Sequence, residues 1–180
     1  MDLDAFDRNT DALVAIARDA KKTLRVASKS IRVPALLERL VSRGGPTIRG
    51  MMTYHAAETA FLAEKGFDDL LLAYPTARLA EARLLAAAAR RGKTVSSVVD
   101  EPGHLTVLED AATEAGVTIG AVVELDVAWQ PAGIAHLGPR RSPRRTPETV
   151  VALAKEIASR PGLRFGGVMA YEGHIAGLTD

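Results

Sequence analysis

The most restrictive feature of the sequence is an unbroken alternation of short apolar runs with helix-length amphipathic ones. An opening helix is read over Phe6–Ala20, where Leu13, Ile16, Ala17 and Ala20 recur at helical spacing behind Asn9 and Thr10 as candidate caps. Strands follow at Leu24–Ile31, Thr47–Thr53, Asp69–Ala73, Thr94–Val99, Thr118–Val127 and Leu163–Ala170. Between them lie helices from Pro34 to the Gly44-Gly45 stop and over Ala56–Lys65, Thr76–Arg91, Leu105–Ala115 and Pro147–Ser159. The strands are nearly continuously apolar, so both of their faces are covered, and strands covered on both faces between helices form a parallel sheet.

Two architectures satisfy that pattern, an open doubly wound sheet and a closed barrel. No phosphate-cradling fingerprint such as GxGxxG or GxxxxGK[ST] follows any strand, which favours the barrel. A complete barrel takes eight strands and about 250 residues. The chain has 180 residues and about six β/α steps. The expected fold is therefore α/β, a parallel (β/α) barrel that is incomplete, with 1–180 forming one partial barrel domain. Such a piece leaves an open sheet edge, so it is expected to be an N-terminal fragment with little activity by itself.

Composition removes several functions. Lys plus Arg number 23 against 22 Asp plus Glu, so no global field points to nucleic acid, and aromatic residues are only 4%. The absence of cysteine removes thiolate nucleophiles and thiolate metal sites. No signal peptide or bilayer-spanning run is read, and the expected compartment is the cytosol.

In a parallel barrel, chemistry sits at the C-terminal ends of the strands. Those ends carry Lys29 between Ser28 and Ser30, then His55, Tyr74, Asp100 with Glu101, Asp126 with Trp129, and Tyr171 with Glu172 and His174. Lys29 lies in a strand with little reason to hold an ammonium; desolvation would lower its pKa and make it an amine nucleophile, the alternative being a strand-end lysine reaching solvent. Tyr171 and His174 could stack on a planar cofactor, or belong to an ordinary turn. His55, His104, His136 and His174 with Asp100, Glu101 and Asp126 suggest a metal-dependent hydrolase, though no two histidines have ligand spacing. The run Arg140-Arg141-Ser142-Pro143-Arg144-Arg145 could bind phosphate, nucleic acid or a substrate carboxylate, or simply be solvated.

Four segments in order, spread over most of the chain from Leu24 to Gly177, resemble one family. They are Leu24-Arg25-Val26-Ala27-Ser28-Lys29-Ser30-Ile31-Arg32, Gly66-Phe67-Asp68-Asp69-Leu70-Leu71-Leu72-Ala73-Tyr74-Pro75, Arg141-Ser142-Pro143, and Met169-Ala170-Tyr171-Glu172-Gly173-His174-Ile175-Ala176-Gly177. All resemble the amino acid deaminase/aldolase group, relatives of D-threonine aldolase and D-serine dehydratase. The resemblance implies a fold-type III pyridoxal 5'-phosphate enzyme: a barrel of the alanine-racemase N-terminal type, followed by a C-terminal β domain and working as a homodimer. It places the cofactor aldimine on Lys29, Tyr171 against the pyridine ring and His174 close behind. It implies that the phosphate loops come from later strands, and that any divalent metal is held by the C-terminal domain.

The chain departs from the related pattern D-x-G-x-x-R-x-G at Asp126-Val127-Ala128-Trp129-Gln130-Pro131-Ala132-Gly133, where Pro131 replaces the arginine. The arginine's role is then absent or falls to Arg140 or Arg141, the candidate substrate-binding residues, and lysis or elimination is favoured over racemisation. The expected activity is that of a lyase on a β-hydroxy D-amino acid, cleaving Cα–Cβ or eliminating the hydroxyl. The competing readings are a non-catalytic remnant of such a barrel and, behind it, the metal-dependent hydrolase.

Overall fold

Across the residues that the computed structural model describes, 1–176, the chain runs α1 (Leu3–Asp19), β1 (Leu24–Ala27), α2 (Pro34–Gly44), β2 (Ile48–Thr53), α3 (Ala56–Glu64), β3 (Leu70–Leu72), α4 (Leu79–Arg90), β4 (Val95–Val99), α5 (Pro102–Ala115), β5 (Ile119–Leu125), α6 (Pro147–Ser159), β6 (Leu163–Ala170) and α7 (Gly173–Ala176). Gly177, the end of the last family-like segment, lies outside the described residues. The six strands form one sheet in the order β1-β2-β3-β4-β5-β6, and every neighbouring pair is parallel. Spatial order equals chain order, so every crossover steps the same way. The reversal that defines a doubly wound sheet is missing.

A sheet wound in one direction keeps its crossover helices on one side. Met51, Leu70, Val95, Val99, Ile119 and Val123 of the strands pack there against Leu37, Leu62, Leu85, Leu105, Leu108 and Ile157 of the helices, in one large buried cluster. The other face carries a thin layer, Leu71, Val98 and Val122 with Met169 against it. Helices outside and a narrow layer of side chains inside make the wall of a (β/α) barrel, six units long, as the alternation predicts. Among the described residues, no helix is long and apolar enough to cross a membrane.

Two local expectations are corrected. Helix α1 starts at Leu3, capped by the Asp2 carboxylate, which accepts from the Ala5 amide at 2.9 Å. Asn9 and Thr10 lie inside the helix instead, and the Thr10 hydroxyl donates back to the Phe6 carbonyl at 2.9 Å. Of the apolar stripe read there, Leu13 and Ile16 are exposed and only Ala17 is buried. What ties α1 to α2 is a charge network, Asp7 with Arg39 and Arg43, and Asp11 with Arg43. The second correction is at β1, which stops at Ala27; Ser28–Ser30 form a 3-10 turn.

One glycine in the sheet is required by close approach. Gly50 has φ +73°, and a Cβ built there would collide with the Asp69 carbonyl oxygen, which the Arg25 guanidinium also contacts. Gly50→Ala is therefore expected to cost about 3 kcal/mol, combining a left-handed backbone with a contact to rigid main chain. Urea unfolding would check it, and a loss under about 0.5 kcal/mol, ordinary for a surface change, would contradict it.

Candidate active site

The turn after β1 carries Lys29 out of the strand and into the open. Ser28 is buried, its hydroxyl 3.1 Å from the Met52 carbonyl and 2.8 Å from a Glu58 carboxylate oxygen, whereas Lys29 is exposed. This corrects the expectation of a desolvated lysine with a lowered pKa. The Lys29 ammonium donates to the Tyr54 hydroxyl at 2.7 Å, and that bond holds its pKa above the ordinary lysine value. The cause is the 3-10 turn, which lifts residue 29 off the two-sided burial of a barrel strand.

From Lys29 a line of side chains crosses the strand ends. Tyr54 follows β2; its hydroxyl accepts from that of Tyr74, which follows β3, at 3.2 Å. The two rings meet edge to face, centroids 4.9 Å apart at 64°. Lys29 and then Tyr74, as hydrogen-bond donors, lower the Tyr54 pKa. The Arg141 guanidinium lies 4.7 Å from the Tyr74 ring centroid and 5.6 Å from that of Tyr171, at the end of β6.

Arg141 is fixed on three sides. Its Nε donates to Glu124 on β5, Nη2 donates to the Ala73 carbonyl at 3.1 Å, and Nη1 donates to the Tyr74 hydroxyl at 3.3 Å. A guanidinium has five N–H donors, so this leaves Arg141 with N–H groups to offer a ligand. Glu124 is only 1% exposed. Burial pushes its carboxyl up, and Arg141 pulls it back only in part. Burial also works against the Arg141 cation, but the bonds to Glu124 and Tyr74 overcome it and keep the guanidinium above its ordinary value.

The basic run is not a free cationic patch. Arg144 donates to the Asp100 carbonyl at 2.8 Å and to the Glu101 carboxylate at 3.2 Å. Arg145 pairs with the Asp126 carboxylate at 3.1 Å and donates to the Ala128 carbonyl at 3.0 Å. With Arg141 on Glu124, three of its four arginines strap the loop across the ends of β3, β4 and β5. Arg140 is exposed, makes no ion pair among the described residues, and borders a side hollow of about 410 Å³ with Asp126, His136 and Arg145.

His174 is packed beneath the loop, where a Cβ on Gly138 would lie 3.1 Å from its Nδ1, a buried atom with no hydrogen-bond partner among the described residues. His104 Nδ1 lies 3.0 Å from a buried Asp100 oxygen, and burial pushes the Asp100 carboxyl up. Among the described residues, no three His, Asp or Glu gather as metal ligands. A wide hollow of about 1030 Å³ is lined by Arg25, Asp69, Ser96 and Arg164 at the N-terminal ends of the strands. Barrel chemistry belongs at the other end of the strands, where the Lys29 cluster lies, so we take that cluster as the candidate site.

The structure thus joins Lys29, Arg141 and Tyr171 in one cluster and leaves Arg140 and His174 at its margin. Sequence reasoning passed over Tyr54 and Glu124. Glu124 had a usable signal, a lone carboxylate in the otherwise apolar run Ile119–Leu125. A nearly buried acid in such a strand needs a cation, and Arg141 supplies it.

The chain is 30% identical over 179 residues to a 3-hydroxy-D-aspartate aldolase of Paracoccus denitrificans, covering 98% of this chain and 42% of that protein. It is 27% identical over 175 residues to a D-threonine aldolase of Arthrobacter sp, covering 97% and 42%. Among solved structures, it superposes on a D-threonine aldolase from Filomicrobium marinum with a TM-score of 0.80 at 26% identity, over 93% of this chain and 42% of that one. It shares the fold of a D-threo-3-hydroxyaspartate dehydratase from Delftia sp. HT23, with a TM-score of 0.75 at 20% identity, over 100% and 44%. The chain spans less than half the length of these relatives. The family described as alanine racemase, N-terminal domain, matches residues 1–179, and the chain belongs to that family.

Proposed function

We propose that this chain carries the lysine-bearing part of a pyridoxal-phosphate lyase site whose substrate is a β-hydroxy D-amino acid. One observation carries the reading: Lys29, Arg141 and Tyr171 meet at the C-terminal end of the sheet, in a family member that resembles aldolases of D-threonine and 3-hydroxy-D-aspartate. The residues fit the cofactor. Lys29 offers an exposed amine, Arg141 has uncommitted N–H donors for an oxyanion, and the half-exposed ring of Tyr171 gives a flat apolar face. Pyridoxal phosphate, when bound, supplies an electron sink for the pair released at the substrate Cα.

In this reading Lys29 holds the cofactor and yields it to the substrate amine. Tyr171 supports the ring, His174 backs the loop that follows, and Arg141, with Arg140 at the rim, receives the substrate carboxylate. Aldol cleavage and hydroxyl elimination both start from this arrangement. The full-length enzyme works as a dimer, and a divalent metal, where one is used, is held by the C-terminal domain.

The test is chemical. The chain is incubated with pyridoxal phosphate, reduced with borohydride and mapped by peptide mass. The expected result is a pyridoxyl label on Lys29. A label concentrated on another lysine, such as Lys93 or Lys155, would overturn the assignment.

A further inference from the structure

We propose that Tyr54 is the acid–base partner of Lys29: its phenolic oxygen takes the proton that Lys29 Nζ must lose to become a nucleophile and returns it when the bond to nitrogen breaks. Tyr54 Oη is 2.7 Å from Nζ, within proton-transfer reach, and Nζ lies 4.5 Å from the Tyr54 ring centroid. Among the described residues, no carboxylate pairs with Lys29. The other titratable groups whose charge bears on it are Tyr74 and Tyr171, from the ends of β3 and β6. Tyr54 in turn faces Lys29, Tyr74 and the Arg141 cation, with Glu58 of α3 bound to its backbone and the exposed His55 next in the chain.

Tyr54 is held for the task. Its backbone amide donates to a Glu58 carboxylate oxygen at 2.9 Å, and the edge contact with Tyr74 fixes its ring. The pair sheds one proton to water, and the remaining one is shared along the Nζ–Oη hydrogen bond. When it lies on nitrogen the pair is ammonium and phenolate; when it moves to oxygen, the N–H bond breaks, the O–H bond forms and the electron pair stays on Nζ as a free amine. The nucleophile thus appears without a second release to solvent. The directions of the two pKa shifts, Lys29 up and Tyr54 down, are those of such a coupled pair.

The proposal rests on Lys29 being the reacting lysine, and the experiment separates the two. The rate of pyridoxal phosphate capture at Lys29 is measured by borohydride quench and peptide mass across pH, in the wild-type chain and in Tyr54→Phe. The expected result is at least tenfold slower capture at Lys29 near pH 8, with the profile displaced upward and capture at Lys21 and Lys22 unchanged, where a full acid–base effect is about 10²–10⁴-fold. A 3-fluorotyrosine at position 54, more acidic and nearly isosteric, should move the profile the opposite way; this arm stands if Tyr54→Phe folds poorly. Capture at Lys29 that is indifferent to both replacements overturns the role of Tyr54 alone. Capture in the wild type that avoids Lys29 overturns the parent reading and Tyr54 with it.

Discussion

Arg141→Ala is expected to destabilise the chain by about 3 kcal/mol at neutral pH, because it leaves the buried Glu124 carboxylate without its cation. The lost contacts with the Tyr74 and Tyr171 rings add about 0.5–1 kcal/mol each at most. The effect should depend on pH, and its sign follows from Glu124. Burial already holds that carboxyl above its ordinary value, so the stability it confers is greatest while it is protonated and falls as pH rises through its folded pKa. Removing Arg141 takes away the one strong influence that lowers this pKa, so the penalty should be largest above it and shrink toward pH 5. Urea unfolding of the wild type and Arg141→Ala at pH 7.5 and pH 5 measures this. The double variant Arg141→Ala with Glu124→Gln should recover much of the loss at pH 7.5, since the stranded charge is gone. Equal penalties at both pH values, or a double variant as unstable as the sum of its parts, would show that Glu124 is not the group left behind.

The same pair shows what the sequence could and could not disclose. Six β/α steps were legible because each strand is an apolar run and each helix has its stop, and the strand order followed from there being no phosphate-loop signature to suggest a switch point. Lys29 was legible as the odd residue of its strand. Its surroundings were not: periodicity does not reveal that Ser28–Ser30 leave the strand as a 3-10 turn, which turns an expected buried amine into an exposed one. The run from Arg140 to Arg145 reads as a solvated or ligand-binding patch because its partners Glu101, Glu124 and Asp126 lie on two other strand ends, 17 to 43 residues away. Charge pairing at that separation is set by topology, which composition does not carry. In α1 the stripe of Leu13 and Ile16 has the right spacing yet stays exposed, while Asp7 and Asp11 make the contacts. Amphipathic spacing identifies a helix; it does not identify which face finds a neighbour.

Lys29→Ala should remove covalent capture of pyridoxal phosphate almost completely, by at least a hundredfold, while leaving stability as little changed as by an ordinary surface substitution. The two halves of this prediction have different causes. Capture is lost because the amine is the nucleophile, and the nearby Tyr54 and Arg141 side chains offer no group that can form a reducible bond to an aldehyde carbon. Stability is retained because Lys29 is exposed and its hydrogen bond to Tyr54 is a surface contact that water can replace. One side effect should be visible. Without the ammonium, the main cause that lowers the Tyr54 pKa disappears, so phenolate absorbance from Tyr54 should titrate at higher pH than in the wild type. Lys29→Arg sharpens the point: it restores a cation for Tyr54 and so the lower phenol titration, but supplies no deprotonated amine and therefore no capture. Lys21→Ala and Lys22→Ala, altering exposed lysines just before β1, should change neither readout. Persistent capture with a visible absorbance band in Lys29→Ala would move the reacting amine elsewhere. Capture lost together with several kcal/mol of stability would mean that Lys29 supports the fold instead of the chemistry.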